Sequence, residues 1–114
     1  MRTLVEKWIL KAENDFKIGK RELMAEDPAT DMICFHMQQC VEKYLKAFLV
    51  SKGQRFRRTH DIAELIELCR RHDNDFSQLY DMRADRLTRY AVEARYPEEF
   101  FFPSREEAEE CVRI

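Results

Sequence analysis

Apolar residues recur every three or four positions in several stretches of the chain, which is the spacing of one face of an α-helix. The first stretch, residues 3–25, carries the stripe Leu4, Trp8, Ala12, Phe16, Gly19 and Leu23. Pro28 disfavours helical backbone at the residue before it, so the first helix is predicted to end before this proline. Gly19 costs the helix about 1 kcal/mol relative to alanine, which predicts that another helix crosses closely there.

The second helix is predicted to run from an N-cap at Thr30 to about Lys52, where Gly53 provides a C-terminal stop. At 100° per residue, most of its apolar residues, Tyr44 included, fill one arc of about 160°. The opposite arc carries a polar strip that is interrupted by Met32, Phe35, Leu49 and Val50; the strip consists of His36, Gln38, Gln39, Glu42, Lys43 and Lys46. This pattern predicts a central helix whose polar side is partly covered, for example by a second subunit.

A third helix is predicted to begin at Asp61, because Glu64 three residues later completes a capping box. A fourth is predicted from about Asp75 towards Arg95, and Pro97 ends it. Its apolar stripe consists of Phe76, Leu79, Tyr80, Leu87, Tyr90, Ala91 and Ala94.

Ser104 and Glu107 form a second capping box, which predicts a short C-terminal helix. The predicted fold is therefore all-α: an antiparallel up-and-down four-helix bundle with a short fifth C-terminal helix. A chain of 114 residues is the size of one domain, so residues 1–114 are expected to form a single core.

Composition narrows the classes of function. The net charge of −2 gives the whole molecule no strong attraction for DNA or membranes. No apolar run is long enough to span a membrane, and charges interrupt the N-terminal apolar stretch, so a cytoplasmic protein without a signal peptide is expected. The four cysteines (Cys34, Cys40, Cys69 and Cys111) have neither CxxC nor zinc spacing. They are expected to be reduced core residues, and no metal or other cofactor is expected.

The first candidate site is the polar strip of the second helix, where His36, Gln39 and Lys43 fall within about 60° of one another. A lysine amine and a glutamine amide can bind phosphate or base edges, and Lys46 lies in the adjacent row. The alternative is a solvated face with ordinary pairs one turn apart. Asp15 lies at the edge of the buried stripe of the first helix, where a carboxylate needs a partner; Lys43 or Lys46 is expected to provide it.

The second candidate site is the Thr59-His60-Asp61 turn. A histidine just before a helix can hydrogen-bond a neighbour through one ring nitrogen and act as acid or base with the other. Three arginines precede it (Arg55, Arg57 and Arg58), and they could hold a phosphate during metal-free RNA cleavage. The alternative is that the turn is only a helix-capping device.

The third candidate site is a set of arginines in the predicted fourth helix, namely Arg83, Arg86, Arg89 and Arg95. Arginine and tyrosine together can stack on a nucleotide and hydrogen-bond it, and Arg95 is followed by Tyr96. Pairing with nearby carboxylates is the stronger alternative for the first three arginines.

Taken together, the motifs resemble the HEPN family of small prokaryotic helical domains. They are Trp8-x3-Ala12-x2-Asp15, Phe35-His36-x2-Gln39-x2-Glu42-Lys43-x2-Lys46-Ala47, Thr59-His60-Asp61 and Tyr90-x4-Arg95-Tyr96-Pro97. The resemblance implies a helical bundle that usually dimerises and is often encoded beside a minimal nucleotidyltransferase as a toxin–antitoxin-like pair. It also implies nucleotide binding and, in several branches, metal-independent RNase activity. Those RNases use Arg-x4–6-His in a late helix, whereas here Arg55-x4-His60 precedes the third helix and the fourth helix has no histidine.

Three hypotheses follow. In the first, a HEPN-type homodimer forms through the second and fourth helices, binds a nucleotide or RNA phosphate, and pairs with a nucleotidyltransferase. Its binding residues would be His36, Gln39, Lys43, Lys46, Arg58, Arg95 and Tyr96. In the second, the protein is a metal-independent endoribonuclease with His60 as general acid/base and Arg55 or Arg58 stabilising the phosphorane. In the third, it is a purely structural protein-interaction module.

Overall fold

A computed structural model describes residues 1–93 and 102–114, and every regular element in these two ranges is helical. The α-helices are α1 (Leu4–Leu23), α2 (Thr30–Ser51), α3 (Ile62–Arg70), α4 (Gln78–Asp81), α5 (Thr88–Glu93) and α6 (Arg105–Arg113), with 3₁₀ turns at Asn74–Ser77 and Ala84–Leu87. The all-α prediction is thereby confirmed. None of the described helices is long and apolar enough to cross a membrane.

Helix α1 packs along α2, with Ala12, Asp15 and Gly19 buried at the contact. The side chain of Met37 occupies the space that a Cβ atom on Gly19 would need. Gly19 therefore permits the close crossing that its position in the apolar stripe predicts.

The two ends of α2 differ in how well the sequence predicts them. Thr30 is the first helical residue rather than the N-cap, because Ala29 is the N-cap and provides no side-chain hydrogen bond. At the other end, Gly53 adopts a left-handed φ of 66°. The Gln54 amide donates to the Leu49 carbonyl at 2.9 Å and the Gly53 amide donates to the Val50 carbonyl at 3.0 Å, which is a Schellman ending.

Helix α2 is central, as predicted, and contacts α1, α3, α5 and α6. The buried face of α2 is wider than the predicted apolar arc, and it is rotated about the helix axis relative to that arc. Leu49, expected on the outer side, is fully buried, whereas Tyr44, expected inside, is 43% exposed. The apolar core includes Ile33, Cys34, Met37, Leu45, Leu49, Ile62, Leu65, Ile66, Cys69, Leu87 and Cys111.

The prediction of a continuous fourth helix from Asp75 is wrong, and the regular four-helix arrangement is not confirmed. A 3₁₀ turn, α4, a second 3₁₀ turn and α5 replace it, and the chain bends at Arg83, whose φ is 61°. A left-handed backbone at a non-glycine residue costs roughly 1–2 kcal/mol, so surrounding packing must hold it. Tyr90 and Leu87 are buried despite the break. The predicted end near Arg95 and Pro97 lies outside the described residues.

In each of the two predicted capping boxes, one of the two reciprocal hydrogen bonds forms. The Asp61 carboxylate accepts from the Glu64 amide at 3.4 Å, and the Ser104 hydroxyl accepts from the Glu107 amide at 3.1 Å. The reciprocal contacts are replaced, because the Glu64 carboxylate accepts from Arg57 and the Glu107 carboxylate accepts from Tyr90. Each glutamate thus ties its helix start to another part of the fold.

Candidate functional site

Half of the polar strip on α2 lies inside the protein. Gln38 is fully buried, Glu42 is 3% exposed and Lys46 is 7% exposed, so the solvated-face alternative is wrong for these three residues. Aromatic rings cover the lysine: its Nζ lies 5.6 Å from the ring centroid of Trp8 and 5.9 Å from that of Phe56. A buried ammonium needs a nearby carboxylate, and Glu42 provides it.

Glu42 is the centre of a hydrogen-bond network that joins α2 to the turn before α3. Its Oε2 accepts from Lys46 Nζ at 2.9 Å, and its Oε1 accepts from Gln38 Nε2 at 2.9 Å and from His60 Nδ1 at 2.8 Å. Gln38 Nε2 also donates to the His60 carbonyl at 3.1 Å, and Gln39 Nε2 donates to Gln38 Oε1 at 2.6 Å. The network therefore fixes both the side chain and the backbone of His60.

The surroundings of Glu42 favour its ionised form. Burial raises the pKa of this carboxyl, but hydrogen bonds from Lys46, Gln38 and His60 outweigh burial and lower the pKa below the ordinary value of 4.5. An ionised carboxylate can only accept hydrogen bonds, so Nδ1 of His60 is the donor in this contact.

His60 combines a fixed ring with solvent access. Its side chain is 46% exposed, whereas the Glu42 side chain that holds Nδ1 is 4% exposed. Because Nδ1 is engaged, Nε2 is the nitrogen that can exchange a proton with a ligand or donate to a phosphate oxygen. Asp61, not His60, caps α3, so the capping alternative does not account for the imidazole.

A second cluster, also of a carboxylate, a histidine and a lysine, joins α1 to α2. Asp15 Oδ1 accepts from His36 Nδ1 at 2.8 Å, and Asp15 Oδ2 accepts from Lys43 Nζ at 2.6 Å. Of the two partners expected for Asp15, the structure selects Lys43. In both clusters one carboxylate oxygen binds a histidine and the other binds a lysine. Lys43 and His36 are thus fixed by Asp15 and remain 20% and 23% exposed.

The arginines of the loop before α3 divide into two kinds. Arg57 Nε donates a bifurcated hydrogen bond to both carboxylate oxygens of Glu64, at 2.9 Å each. Arg55 and Arg58 are exposed and form no ion pair with any residue of the described ranges. The loop thus offers two uncommitted guanidinium groups close in sequence to His60, although the structure brings neither of them into contact with its ring.

Comparison with known proteins finds a match to the HEPN domain family over residues 5–114. The chain belongs to the HEPN domain family. The protein named "Putative toxin MJ1304" of Methanocaldococcus jannaschii is 31% identical in an alignment 120 positions long, which covers 93% of this chain and 77% of the relative. No solved structure matches the chain.

The third candidate site in this HEPN domain is only partly described. Arg83 and Arg86 do not form the expected ion pairs with Asp81 and Asp85, and Arg89 Nη2 contacts Glu107 at 3.3 Å. A cleft of about 600 Å³ lies beside them; its described lining includes Arg83, Arg86, Tyr90, Glu110, Cys111 and Arg113. Arg95 and Tyr96 lie outside the described residues.

Glu42 is the residue of the candidate site that the sequence analysis did not single out. The pattern placed it in the polar strip, but its contact with His60 spans 18 residues and no local spacing predicts it. In the described ranges no cluster of three or more His, Cys, Asp or Glu side chains is arranged to hold a metal ion.

Proposed function

We propose that this HEPN protein is a toxin-like component of a two-gene system and binds RNA through its phosphates at the His60 turn. The observation that carries the proposal is the hydrogen bond that Nδ1 of half-exposed His60 donates to buried Glu42. The fixed imidazole follows Arg55 and Arg58 in the same loop, and these two arginines form no ion pair within the described residues; imidazole and guanidinium groups are suited to binding phosphate oxygens.

The comparison supports the toxin-like role, because the name of the archaeal relative describes a toxin. The proposal includes a homodimer and a nucleotidyltransferase partner. In α2, Met32 and Tyr44 are 39% and 43% exposed and offer apolar surface for such contacts. Light scattering after size-exclusion chromatography tests both associations, with the protein alone and mixed with a nucleotidyltransferase encoded beside it. If this protein elutes with its monomer mass of 13.8 kDa in both samples, both associations are refuted.

RNA binding is expected to depend on Arg55 and Arg58 and to weaken with salt. Each phosphate contact removed lowers the slope of log affinity against log salt by about 1, because fewer counterions are released on binding. Arg55→Ala and Arg58→Ala are therefore each expected to reduce this slope. The measurement is fluorescence anisotropy of a labelled single-stranded RNA over a series of salt concentrations in EDTA.

Arg57→Ala is the matched control, because it removes the same charge from the same loop but from a guanidinium already bound to Glu64. If the slope of log affinity against log salt changes less in Arg57→Ala than in Arg55→Ala and Arg58→Ala, the result supports phosphate binding by Arg55 and Arg58. Equal slopes in all three variants would mean that net charge, not the site, determines binding. Competition by a mononucleotide distinguishes a nucleotide site from an RNA-binding surface.

A second candidate function is metal-independent RNA cleavage, and the Glu42–His60 hydrogen bond favours it as well. Nε2 of His60 would take the proton of a 2′-hydroxyl while that oxygen attacks the adjacent phosphorus, and the 5′-oxygen would leave and take up a proton from water. Arg55 or Arg58 would stabilise the charge on the phosphorane oxygens. The products would be a 2′,3′-cyclic phosphate and a 5′-hydroxyl end.

Incubating end-labelled RNA with the protein in EDTA separates the two functions. If cleavage occurs, it is expected to produce cyclic phosphate ends and to be lost in His60→Asn. His72→Asn, which changes another exposed histidine, is the matched control and should cleave like the parent protein. Intact RNA in every sample, with salt-dependent binding retained, would exclude cleavage and leave the binding function.

A further inference from the structure

Two buried cysteines from opposite ends of the chain lie side by side in the core. The Sγ atoms of Cys34 on α2 and Cys111 on α6 are 3.2 Å apart and share a hydrogen bond, although 77 positions separate them in sequence. Cys34 is fully buried and Cys111 is 5% exposed. The other two cysteines, Cys40 and Cys69, have no such sulfur neighbour; the Cys69 thiol donates to the Leu45 carbonyl.

We propose that Cys34 and Cys111 are a modification site, a dithiol that converts reversibly to a disulfide linking α2 to α6. A disulfide bond is about 2.05 Å long, so the two sulfur atoms need to approach by only about 1 Å. This inference is independent of whether the protein binds or cleaves RNA.

The surroundings distinguish the two thiols chemically. The hydrogen bond with Cys34 lowers the pKa of Cys111 despite its burial, and Tyr90 and Arg89 contribute in the same direction. The same bond, together with burial, raises the pKa of Cys34. Because Cys111 also lines the cleft, where an oxidant can reach it, we assign Cys111 as the nucleophile and Cys34 as the resolving thiol.

The position of Cys111 also provides access for an oxidant, because this residue lines the cleft of about 600 Å³ beside Arg86 and Tyr90. A molecule as small as hydrogen peroxide fits such a space. By contrast, burial raises the pKa of Cys40 to about 11 and that of Cys69 to about 12, so these two thiols stay protonated. Oxidation is therefore expected to be selective.

With hydrogen peroxide as the oxidant the reaction balances in two steps. The Cys111 thiolate attacks one peroxide oxygen, the O–O bond breaks, and a sulfenic acid and hydroxide form. The Cys34 sulfur then attacks the Cys111 sulfur, the S–O bond breaks, and the Cys34 proton leaves with the hydroxyl group as water. Overall, two thiols lose two electrons and two protons, and the peroxide is reduced to water. A reducing dithiol reverses the change.

The disulfide would close most of the chain into one covalent loop. Such a link reduces the conformational freedom of the unfolded chain and stabilises the fold. It would also fix α6 against α2 at the side of the cleft where Tyr90 Oη donates to Glu107. Oxidation would thus set the position of one wall of the cleft.

The test oxidises the reduced, purified protein with hydrogen peroxide and then counts thiols after denaturation. Two of the four thiols are expected to remain, with a Cys34–Cys111 linked peptide in the mass spectrum of the digest. The Tm is expected to rise by roughly 10 °C and to return with dithiothreitol.

The double variant Cys40→Ser/Cys69→Ser is the matched control and should form the linked peptide as the parent does. Cys34→Ala and Cys111→Ala should each lose the linked peptide; if either variant does not fold, thiol counting and peptide mapping of the parent protein decide alone. Four free thiols after oxidation, a link through Cys40 or Cys69, or a sulfinic acid on Cys111 would overturn the proposal.

Discussion

Glu42→Ala is expected to lower the free energy of unfolding by about 3–5 kcal/mol, the usual cost of removing one member of a buried ion pair. The variant leaves the Lys46 ammonium only 7% exposed and without its carboxylate. It also removes an acceptor from the Gln38 amide and the acceptor of Nδ1 of His60. Urea unfolding followed by circular dichroism measures the loss.

Glu64→Ala is the matched control, because it breaks the exposed pair with Arg57 and should cost far less. Acid provides a second readout of Glu42. Its folded pKa lies below the ordinary 4.5, so its contribution to stability is present above pH 4.5 and is lost as the pH falls through the folded pKa. Glu42→Gln should therefore lose less stability than the parent between neutral pH and about pH 3.5. If the parent and Glu42→Gln lose equal stability on acidification, or if Glu64→Ala costs as much as Glu42→Ala at neutral pH, this account is contradicted.

Asp15→Ala is expected to lower the free energy of unfolding by about 1.5–3 kcal/mol, as for a hydrogen-bonded charged group. The carboxylate is the acceptor of both His36 Nδ1 and Lys43 Nζ, and its side chain is 11% exposed. The substitution removes both of these hydrogen bonds, which join the middle of α1 to α2. Urea unfolding again measures the effect.

A double-mutant cycle of Asp15→Ala with Lys43→Ala isolates the pair, and a coupling of about 0.5–3 kcal/mol is expected. Glu13→Ala, an exposed carboxylate on the same helix, is the control for helix charge and should be nearly silent. Additive losses in the cycle would show that Lys43 does not interact with Asp15 in solution.

Periodicity predicted which residues face the core better than it predicted backbone continuity. The bounds of α1 and α2 and the start of α3 agree with the structure to within about two residues, since each follows a cap, glycine or proline with a local effect. The fourth helix failed because its apolar residues keep helical spacing across the bend at Arg83. Side chains of α4 and α5 reach one core, and no glycine or proline marks the bend between them.

The candidate site was predicted as a set of residues but not as a set of contacts. His60 and the polar strip were identified from the types and spacing of their side chains. Sequence could not show that Glu42 and Lys46 are buried, because their burial depends on Trp8 and Phe56 from other parts of the fold. Leu49, which interrupts the strip, was the local sign that this side of α2 is covered.

The Asp15 cluster also fixes the register of α2 against α1. If α2 slid by one helical turn, about 5.4 Å, residues four positions away would take the places of His36 and Lys43. In one direction these are Cys40 and Ala47, and in the other they are Met32 and Gln39. Neither shifted pairing brings a positive charge to Asp15, whereas apolar contacts alone would tolerate such sliding. The buried carboxylate thus selects one alignment of two helices that could otherwise pack in several.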